Sequence, residues 1–311
     1  MLELIDAKAH GWDPKGLQTV SDFAQSAGSA QLMIKHSAGL LIDAKFEAQP
    51  VDVFAVQKGL VAILVGMAQE KGFLEIYDHI NHHLEPEWTQ LSPWDEAKLN
   101  VETLLTMTTG MDDALGLCGE INKTWRYNNV AYGYLKQLLE QSTGKTLSVL
   151  TDEWLTQPLG MSQTRWRARD QVLPDGTPMT GLVSTAADLV MLGDMILNRG
   201  RVAGETIFGD AYYLDDLIKP GSAMNPAWGW FWWNNNQSHF MLPGSDKTYA
   251  GVPLPDAPQD LFSARGAFGN FLTIVPSLNI VVARTTSPSS ANNSQKNFEG
   301  EFWRHLMAAR S

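Results

Sequence analysis

The sequence predicts an α+β fold, an antiparallel sheet flanked by helices, with an inserted all-helical domain. Three observations support this prediction. Strand-like segments occur near both ends of the 311-residue chain, residues from about 74 to 222 are mainly helical in pattern, and one strongly apolar helix joins the two regions. We therefore predict a discontinuous α/β sheet domain of residues 1–52 and 223–311, and a mainly helical domain of residues 53–222 between its halves.

The first elements are a helix and a hairpin. Residues 17–28 have helical spacing and end at Gly28. Residues 31–36 and 40–46 then read as two strands, and the intervening Ser37, Ala38 and Gly39 are typical of a hairpin turn. The N-terminal part of the chain is thus expected to supply a helix and two antiparallel strands.

The helix predicted from about residue 53 to Gly72 is apolar around nearly its whole circumference, so it must be buried. Its first turn carries one charge, Lys58. An unpaired buried ammonium is costly to desolvate, so Lys58 either has a partner or extends out between loops to water.

The remaining elements follow from capping residues and from β-favouring segments. Asn100 and Ser184 are expected to cap two of the helices, and Gly144 to end another. Helices are predicted over residues 101–108, 130–142, 147–155, 186–198 and 294–310, and strands over residues 228–233, 262–268, 270–276 and 278–285.

Composition excludes several classes of partner. The net charge of −11 argues against binding to nucleic acid or to an anionic membrane surface. Cys118 is the only cysteine, so an internal disulfide or a cysteine-rich metal site is impossible. The first residues carry acids where a signal peptide carries basic residues, which leads us to expect a cytoplasmic protein.

A cofactor or metal site is not expected. His79, His82 and His83 have helical metal-ligand spacing, but the neighbouring Asp78 and Glu85 indicate a solvated face. The sequence therefore predicts no cofactor and no metal, and it leaves the oligomeric state open.

Three short motifs occur in order along the chain. They are Ala55-Val-Gln-Lys58, Tyr127-Asn-Asn129 and Ala264-Arg265-Gly266. This set resembles the serine β-lactamase and penicillin-binding protein superfamily, which uses Ser-x-x-Lys, Tyr-x-Asn and Lys-Thr-Gly. The Tyr-x-Asn form resembles the branch of class C β-lactamases, D-aminopeptidases, carboxylesterases and aminohexanoate-oligomer hydrolases. Residues 104–110, 158–161 and 181–188 look like further landmarks of that family.

The resemblance implies a role for each motif residue. Residue 55 would be the nucleophile position, with Lys58 helping to remove its proton. Tyr127 would be the base or proton shuttle, and Asn129 would orient the substrate and the lysine. Gly266 belongs to a strand that would offer a backbone N–H to the oxyanion. The expected ligand is a small-molecule ester or amide.

Arg265 departs from the Lys-Thr-Gly pattern. A guanidinium here would either form a bidentate pair with a substrate carboxylate or point outward from the strand. The sequence favours neither alternative.

The nucleophile position departs from the family pattern more seriously, because it is Ala55 and residues 54–65 contain no hydroxyl or thiol. Alanine cannot form an acyl-enzyme. Either serine was replaced in an otherwise intact hydrolase, or the chain is a natural non-catalytic protein that binds a small molecule or a partner. An acyltransferase using the same site is a third alternative.

Residues 228–233 contain several aromatic side chains, and we selected Trp228 and Trp230 as candidate substrate contacts. The alternative is that these rings pack in the core against the terminal helix. The polar segment of residues 234–260, rich in proline and glycine, could form a lid or rim beside the same cleft.

Overall fold

The computed structural model describes residues 3–293 and 297–311. Its largest sheet has six antiparallel strands drawn from both ends of the chain: β1 (Ser29–His36), β2 (Gly39–Lys45), β8 (Trp233–Asn234), β11 (Phe262–Arg265), β12 (Phe271–Val275) and β13 (Ile280–Thr286). The strand order is β2-β1-β13-β12-β11-β8. The predicted α+β class and the N-terminal hairpin are confirmed.

Successive side chains of the central strands belong alternately to two separate hydrophobic clusters, so the core has two layers. In β13, Ile280 and Val282 belong to one hydrophobic cluster, and Val281 and Ala283 belong to the other. Successive side chains of a strand point to opposite faces, so both faces of this sheet must be covered. The sheet is consequently buried between helices.

One face is covered by the two terminal helices, α1 (Pro14–Ser26) and α10 (Phe298–Ala308). The predicted aromatic face of the closing helix is confirmed, since Phe302 and Trp303 are fully buried. Residues 294–296 of that predicted helix lie outside the described residues.

The other face is covered by α8 (Ala186–Leu197), which packs on β1, β12 and β13. Gly193 makes this approach possible, because a Cβ there would lie 2.4 Å from Val281. The cap of this helix is Thr185, whose hydroxyl accepts a hydrogen bond from the Asp188 N–H, and the predicted cap at Ser184 is wrong. Ser184 instead ends a strand and hydrogen-bonds to Thr164 with its hydroxyl.

Helix α2 (Val56–Glu70) is the predicted apolar helix, and every residue from 56 to 68 is buried. It contacts strand β11 closely, because Gly59 has no side chain: a Cβ there would lie 2.6 Å from Ala264 Cβ. This contact brings the N-terminal end of α2 beside the third sequence motif.

The inserted segment contains the other expected helices. Asn100 forms a capping box with Thr103, and Gly144 ends the next long helix with φ 66°. The predicted helix at 147–155 continues through a π-helical turn, Asp152–Thr156. The helices are α3 (Pro93–Glu96), α4 (Val101–Leu105), α5 (Asn129–Thr143), α6 (Leu147–Thr151), α7 (Gln157–Leu159) and α9 (Ala211–Asp216).

The segment 53–222 is not all helical. It also contains a hairpin of β4 (Arg165–Val172) and β5 (Pro178–Ser184), which pairs with β3 (Val51–Asp52). Strand β4 is mostly exposed, and its apolar alternation is limited to Trp166 and Ala168 between three arginines, too short a pattern to have been taken for a strand. Short strands complete the fold: β6 (Arg201–Val202), β7 (Glu205–Thr206), β9 (His239–Met241) and β10 (Thr248–Ala250).

The predicted strand at residues 228–233 is wrong except at its end, where β8 begins. The backbone turns here: the Gly229 N–H donates to Trp232 O at 2.9 Å, and Phe231 has a positive φ of 63°. The aromatic side chains are buried around this turn instead of alternating across a sheet. Within residues 3–293 and 297–311, none of the helices is long and apolar enough to cross a membrane.

Candidate active site

A cavity of about 690 Å³ lies where the N-terminal end of α2 meets α5, the β4–β5 hairpin and strand β11. All three sequence motifs reach it. Eight residues were assigned a catalytic or substrate-binding role from the sequence. Six of them line the cavity wall: Ala55, Lys58, Tyr127, Asn129, Arg265 and Gly266. The fold therefore brings together residues up to 211 positions apart in the sequence.

Ala55 immediately precedes α2, at a turn held by a polar clamp. Phe54 has an unfavourable positive φ of 51°, and its N–H donates to Asp52 Oδ1 at 2.8 Å. The same carboxylate accepts from Arg169 Nη2 at 2.8 and 2.9 Å. Asp52 and Arg169 thus fix the strained turn that places residue 55 at the cavity wall.

Lys58 is buried and one helical turn beyond Ala55. Its Nζ donates to Asn129 Oδ1 at 2.8 Å and lies 4.7 Å from the ring centroid of Tyr127 and 4.3 Å from that of Tyr132. Burial lowers the pKa of Lys58 well below its usual value, and the charges of Lys136 and Arg169 lower it further. An amine in this state can accept a proton.

The two sequence alternatives for Lys58 are therefore resolved. Its side chain has a partner, the Asn129 amide oxygen, and does not extend out to water. No carboxylate of the described residues forms an ion pair with it, which is consistent with a neutral amine.

Tyr127 packs its ring edge-on against Trp228, with the ring centroids 5.7 Å apart. Burial raises the pKa of the Tyr127 hydroxyl above its usual value. The side chain therefore remains a phenol near neutral pH, a form that can donate or relay a proton. Acting as a base would require the phenolate, which burial disfavours.

Gly266 lies directly against the chain that leads into α2. A Cβ at this position would be 2.3 Å from the carbonyl oxygen of Val53 and 3.2 Å from the Ala55 nitrogen. Only glycine fits such a close backbone approach. The N–H groups of Ala55 and Ala267 donate to no acceptor in the described part of the chain, so both are available to a ligand oxygen.

Arg265 lines the cavity but is already partly engaged. Its Nε donates to Ser263 Oγ at 2.9 Å and lies 3.1 Å from Glu299 Oε1, a carboxylate on α10. Its Nη2 is buried with no hydrogen-bond partner among residues 3–293 and 297–311. Burial raises the pKa of Glu299, although the guanidinium groups of Arg265 and Arg284 oppose this shift.

Trp228 and Trp230 do not line the cavity, so their selection as substrate contacts is wrong. Both are buried: the Trp228 Nε1 donates to Leu105 O at 3.2 Å, and Trp230 packs on Tyr213 at 4.9 Å between ring centroids. Trp233 lines the cavity instead. The chain turns at residues 228–232, so the side chains do not alternate between two faces as they would in a strand. The strand pattern therefore pointed to the wrong indoles.

Sequence reasoning missed two cationic residues of the cavity wall, Lys136 and Arg169. Lys136 lies on α5 at positions i+7 from Asn129 and i+4 from Tyr132, a spacing that puts all three on one face and could have been noticed. Arg169 gave no comparable signal, because its strand was not predicted.

The three histidines noted in the sequence lie in the segment between α2 and α3. Across residues 3–293 and 297–311, no group of three or more His, Cys, Asp or Glu side chains is arranged to hold an ion. His83 Nε2 lies 2.9 Å from Asp78 Oδ2, which accounts for one of the three histidines noted in the sequence.

The arrangement defines a serine-hydrolase type of site: a lysine one turn into a buried helix, a Tyr-x-Asn segment beside it, and two cavity-wall residues, Ala55 and Ala267, whose N–H groups have no acceptor in the described residues. The chain belongs to the Beta-lactamase family, whose family model matches residues 47–298. Members of this family are hydrolases. Residue 55 is alanine where this type of site uses serine, and the third motif, Ala264-Arg265-Gly266, lacks the lysine and threonine of Lys-Thr-Gly.

Solved structures share the fold at low sequence identity. A β-lactamase from Mycobacterium bovis has 18% identity and a TM-score of 0.66 over 93% of this chain and 97% of that one. EstCE1, described as a hydrolase with promiscuous acyltransferase activity, has 15% identity and a TM-score of 0.66 over 95% and 97%. A penicillin-binding protein homologue from Caulobacter crescentus has 14% identity and a TM-score of 0.65 over 92% and 97%. A search of curated proteins found no match.

Proposed function

We propose that this cavity is built for acyl transfer from an ester or amide, and that the chain with Ala55 binds such a compound without forming an acyl-enzyme. The observation that carries the proposal is the grouping around Ala55. A buried amine of lowered pKa, a protonated phenol and two backbone N–H groups with no acceptor in residues 3–293 and 297–311 share one cavity wall with residue 55, which lacks a nucleophilic atom.

Each group has a step to perform once a hydroxyl is present at residue 55. The Lys58 amine would accept the hydroxyl proton as oxygen attacks the acyl carbon. The N–H groups of Ala55 and Ala267 would stabilise the negative charge that develops on the acyl oxygen, aided by the position of residue 55 at a helix N-terminus. The proton taken up by Lys58 would then pass through the Tyr127 phenol to the leaving alcohol or amine, so that Tyr127 gains one proton for the one it donates and Lys58 is neutral again.

Two alternatives have specific support. A non-catalytic binding protein is favoured by Ala55 itself, because residues 54–65 offer no hydroxyl or thiol in place of the serine. An acyltransferase is favoured by the likeness to EstCE1, whose description includes acyl transfer, and both activities pass through the same acyl-enzyme. They differ only in whether water or another nucleophile enters second.

The proposal is tested by looking for the acyl-enzyme directly. The Ala55→Ser variant and the unaltered chain are incubated with an activated ester, an anilide and a β-lactam, and intact mass and peptide mapping are recorded. We expect an acyl adduct on residue 55 of the variant and no adduct on the unaltered chain. Absence of any adduct and of turnover across the panel would leave the binding protein as the function.

The pH dependence of the Ala55→Ser variant is a further prediction. Attack requires neutral Lys58, so kcat/KM should fall as the pH drops through the lowered pKa of this amine and reach its plateau well below the usual lysine pKa. Adding Lys136→Met removes one of the positive charges that lower the pKa of Lys58. The fall of kcat/KM on the acidic side of the pH profile should therefore move to higher pH. If the pH at which kcat/KM falls is the same in both variants, protonation of Lys58 does not cause the fall.

A further inference from the structure

The cavity is cationic in a protein that is otherwise acidic. The chain has a formal net charge of −11. Among the residues that line the cavity the only acid is Asp113, whereas the basic residues are Lys136, Arg169, Arg265 and Lys58, whose pKa is lowered by burial. Arg169 is paired with Asp52, and Arg265 Nε lies 3.1 Å from Glu299 Oε1. Low-dielectric walls lined by one sign of charge favour ligands of the opposite sign.

Lys136 is the least explained of these cations. It is buried, and its Nζ donates to Thr180 O at 3.1 Å and to Thr180 Oγ1 at 2.8 Å, two neutral acceptors. No carboxylate in residues 3–293 or 297–311 forms an ion pair with it. An ammonium has three donors, and a buried charge normally has a counter-charge.

The neighbouring Tyr132 also lacks a partner. Both amines lie close to its ring, with the centroid 4.3 Å from Lys58 Nζ and 4.8 Å from Lys136 Nζ. Its hydroxyl is buried and has no hydrogen-bond partner in the described part of the chain. Lys136 and Tyr132 both need an acceptor, and buried polar groups in native proteins are rarely left unpaired.

We propose that the wall formed by Lys136, Tyr132 and Arg169 is a subsite for a carboxylate, so that the ligand of this cavity is a monoanionic ester or amide. This inference rests on the proposed function only for the ester or amide part of the ligand. A carboxylate supplies the acceptors that Lys136 and Tyr132 lack and the negative charge that the cavity lacks.

The wall of α5 and the β4–β5 hairpin sets where this group lies. Lys136 is two turns along α5 from Asn129, whose side chain contacts Lys58. Both amines contact the ring of Tyr132, so the carboxylate would be about one aromatic ring away from the reacting end of the cavity. Half-esters of short dicarboxylic acids carry an ester and a carboxylate in one small molecule, so they are suitable probes of this arrangement.

Protonation supports the same assignment. Burial and, to a smaller extent, the charge of Arg169 together lower the pKa of Lys136 to about 7, against the opposing effect of Glu140. A bound carboxylate favours the protonated amine, so affinity should be highest below about pH 7 and should fall as the pH rises above it. The other titratable groups facing Lys136 are Lys58 from α2 and Tyr132 from α5.

The test compares half-esters with diesters on the unaltered chain. Monomethyl and dimethyl esters of succinic, glutaric and adipic acid are titrated by ligand-observed NMR at pH 6 and pH 9. We expect at least one half-ester to bind about tenfold to a hundredfold more tightly than its diester at pH 6, and the preference to shrink at pH 9. Equal binding of half-esters and diesters would overturn the proposal.

Three variants assign the preference to Lys136. Lys136→Met and Lys136→Gln should both abolish it, and the Gln variant retains a donor for Thr180 if the Met variant is poorly folded. Lys123→Met, which removes an exposed charge away from the cavity, should leave it unchanged. A preference that persists in both Lys136 variants would place the carboxylate elsewhere and overturn the assignment.

The outcome is separable from that of the proposed function. If Ala55→Ser hydrolyses neutral esters but no half-ester is preferred by the unaltered chain, the carboxylate subsite is wrong and the acyl-transfer site stands. If half-esters bind in a Lys136-dependent manner and Ala55→Ser forms no acyl adduct, the subsite stands and the acyl-transfer proposal is wrong.

Discussion

Replacing Ala55 by serine is expected to raise the rate of 4-nitrophenyl butyrate hydrolysis by about three to six orders of magnitude, the range over which loss of a nucleophile acts in serine hydrolases. The reason is geometric. The amine of Lys58, the Tyr127 phenol and the free N–H groups are already in place around residue 55. Initial rates measured at pH 8 with purified variants provide the test.

The substitution should scarcely change stability. Residue 55 has backbone angles of φ −70° and ψ −6°, which serine adopts readily, and its side chain faces the cavity. The matched control is Ala187→Ser, another alanine-to-serine change at a helix N-terminus, which does not line the cavity and should give no activity.

Second substitutions show whether the groups act together. In the Ala55→Ser background, Lys58→Met should remove nearly all of the gained activity, because no other buried amine lies one turn from residue 55. Tyr127→Phe should remove a large part of it. Full activity in the Lys58→Met double variant would contradict the role given to this lysine.

The second large effect is expected at Gly266. In the Ala55→Ser background, Gly266→Ala should lower kcat by about a hundredfold or more, as does loss of an oxyanion-hole donor. The added Cβ would lie 2.3 Å from Val53 O, so β11 and the start of α2 must move apart. Such overpacking should also lower the free energy of unfolding by about 1–3 kcal/mol.

Gly116→Ala is the control for this substitution. A Cβ at Gly116 finds its nearest atom at 3.6 Å, an ordinary contact, and Gly116 is not part of the cavity wall. Activity and urea-unfolding curves of the two variants should therefore diverge. Equal activity of the Gly266→Ala and parent proteins would show that the close approach of these backbones does not serve catalysis.

Much of the fold was predictable because its signals are local. The buried helix α2 follows from its unbroken apolar composition, and α5 follows from its spacing and from Gly144 at its end. The β4–β5 hairpin was not predicted, because β4 is mostly exposed and only Trp166 and Ala168 mark its apolar face.

Site residues could be predicted where they belong to a short motif with a fixed spacing between its members. Lys58 was selected correctly as a residue of the cavity wall, whereas Trp228 and Trp230 were not. The tryptophans failed because burial is decided by how the whole segment turns. A strand was assumed, and the backbone instead folds back on itself at Gly229 and Phe231.

The sequence by itself determined that this chain carries the lysine and the Tyr-x-Asn segment of its family and that residue 55 has no nucleophile. Only the tertiary structure decided which charges share the cavity. Lys136 and Arg169 come from a helix face and from an unrecognised strand, and their placement beside Lys58 depends on how these elements pack. Packing removes water from these cations and brings them within range of each other, and both effects lower the pKa of Lys58.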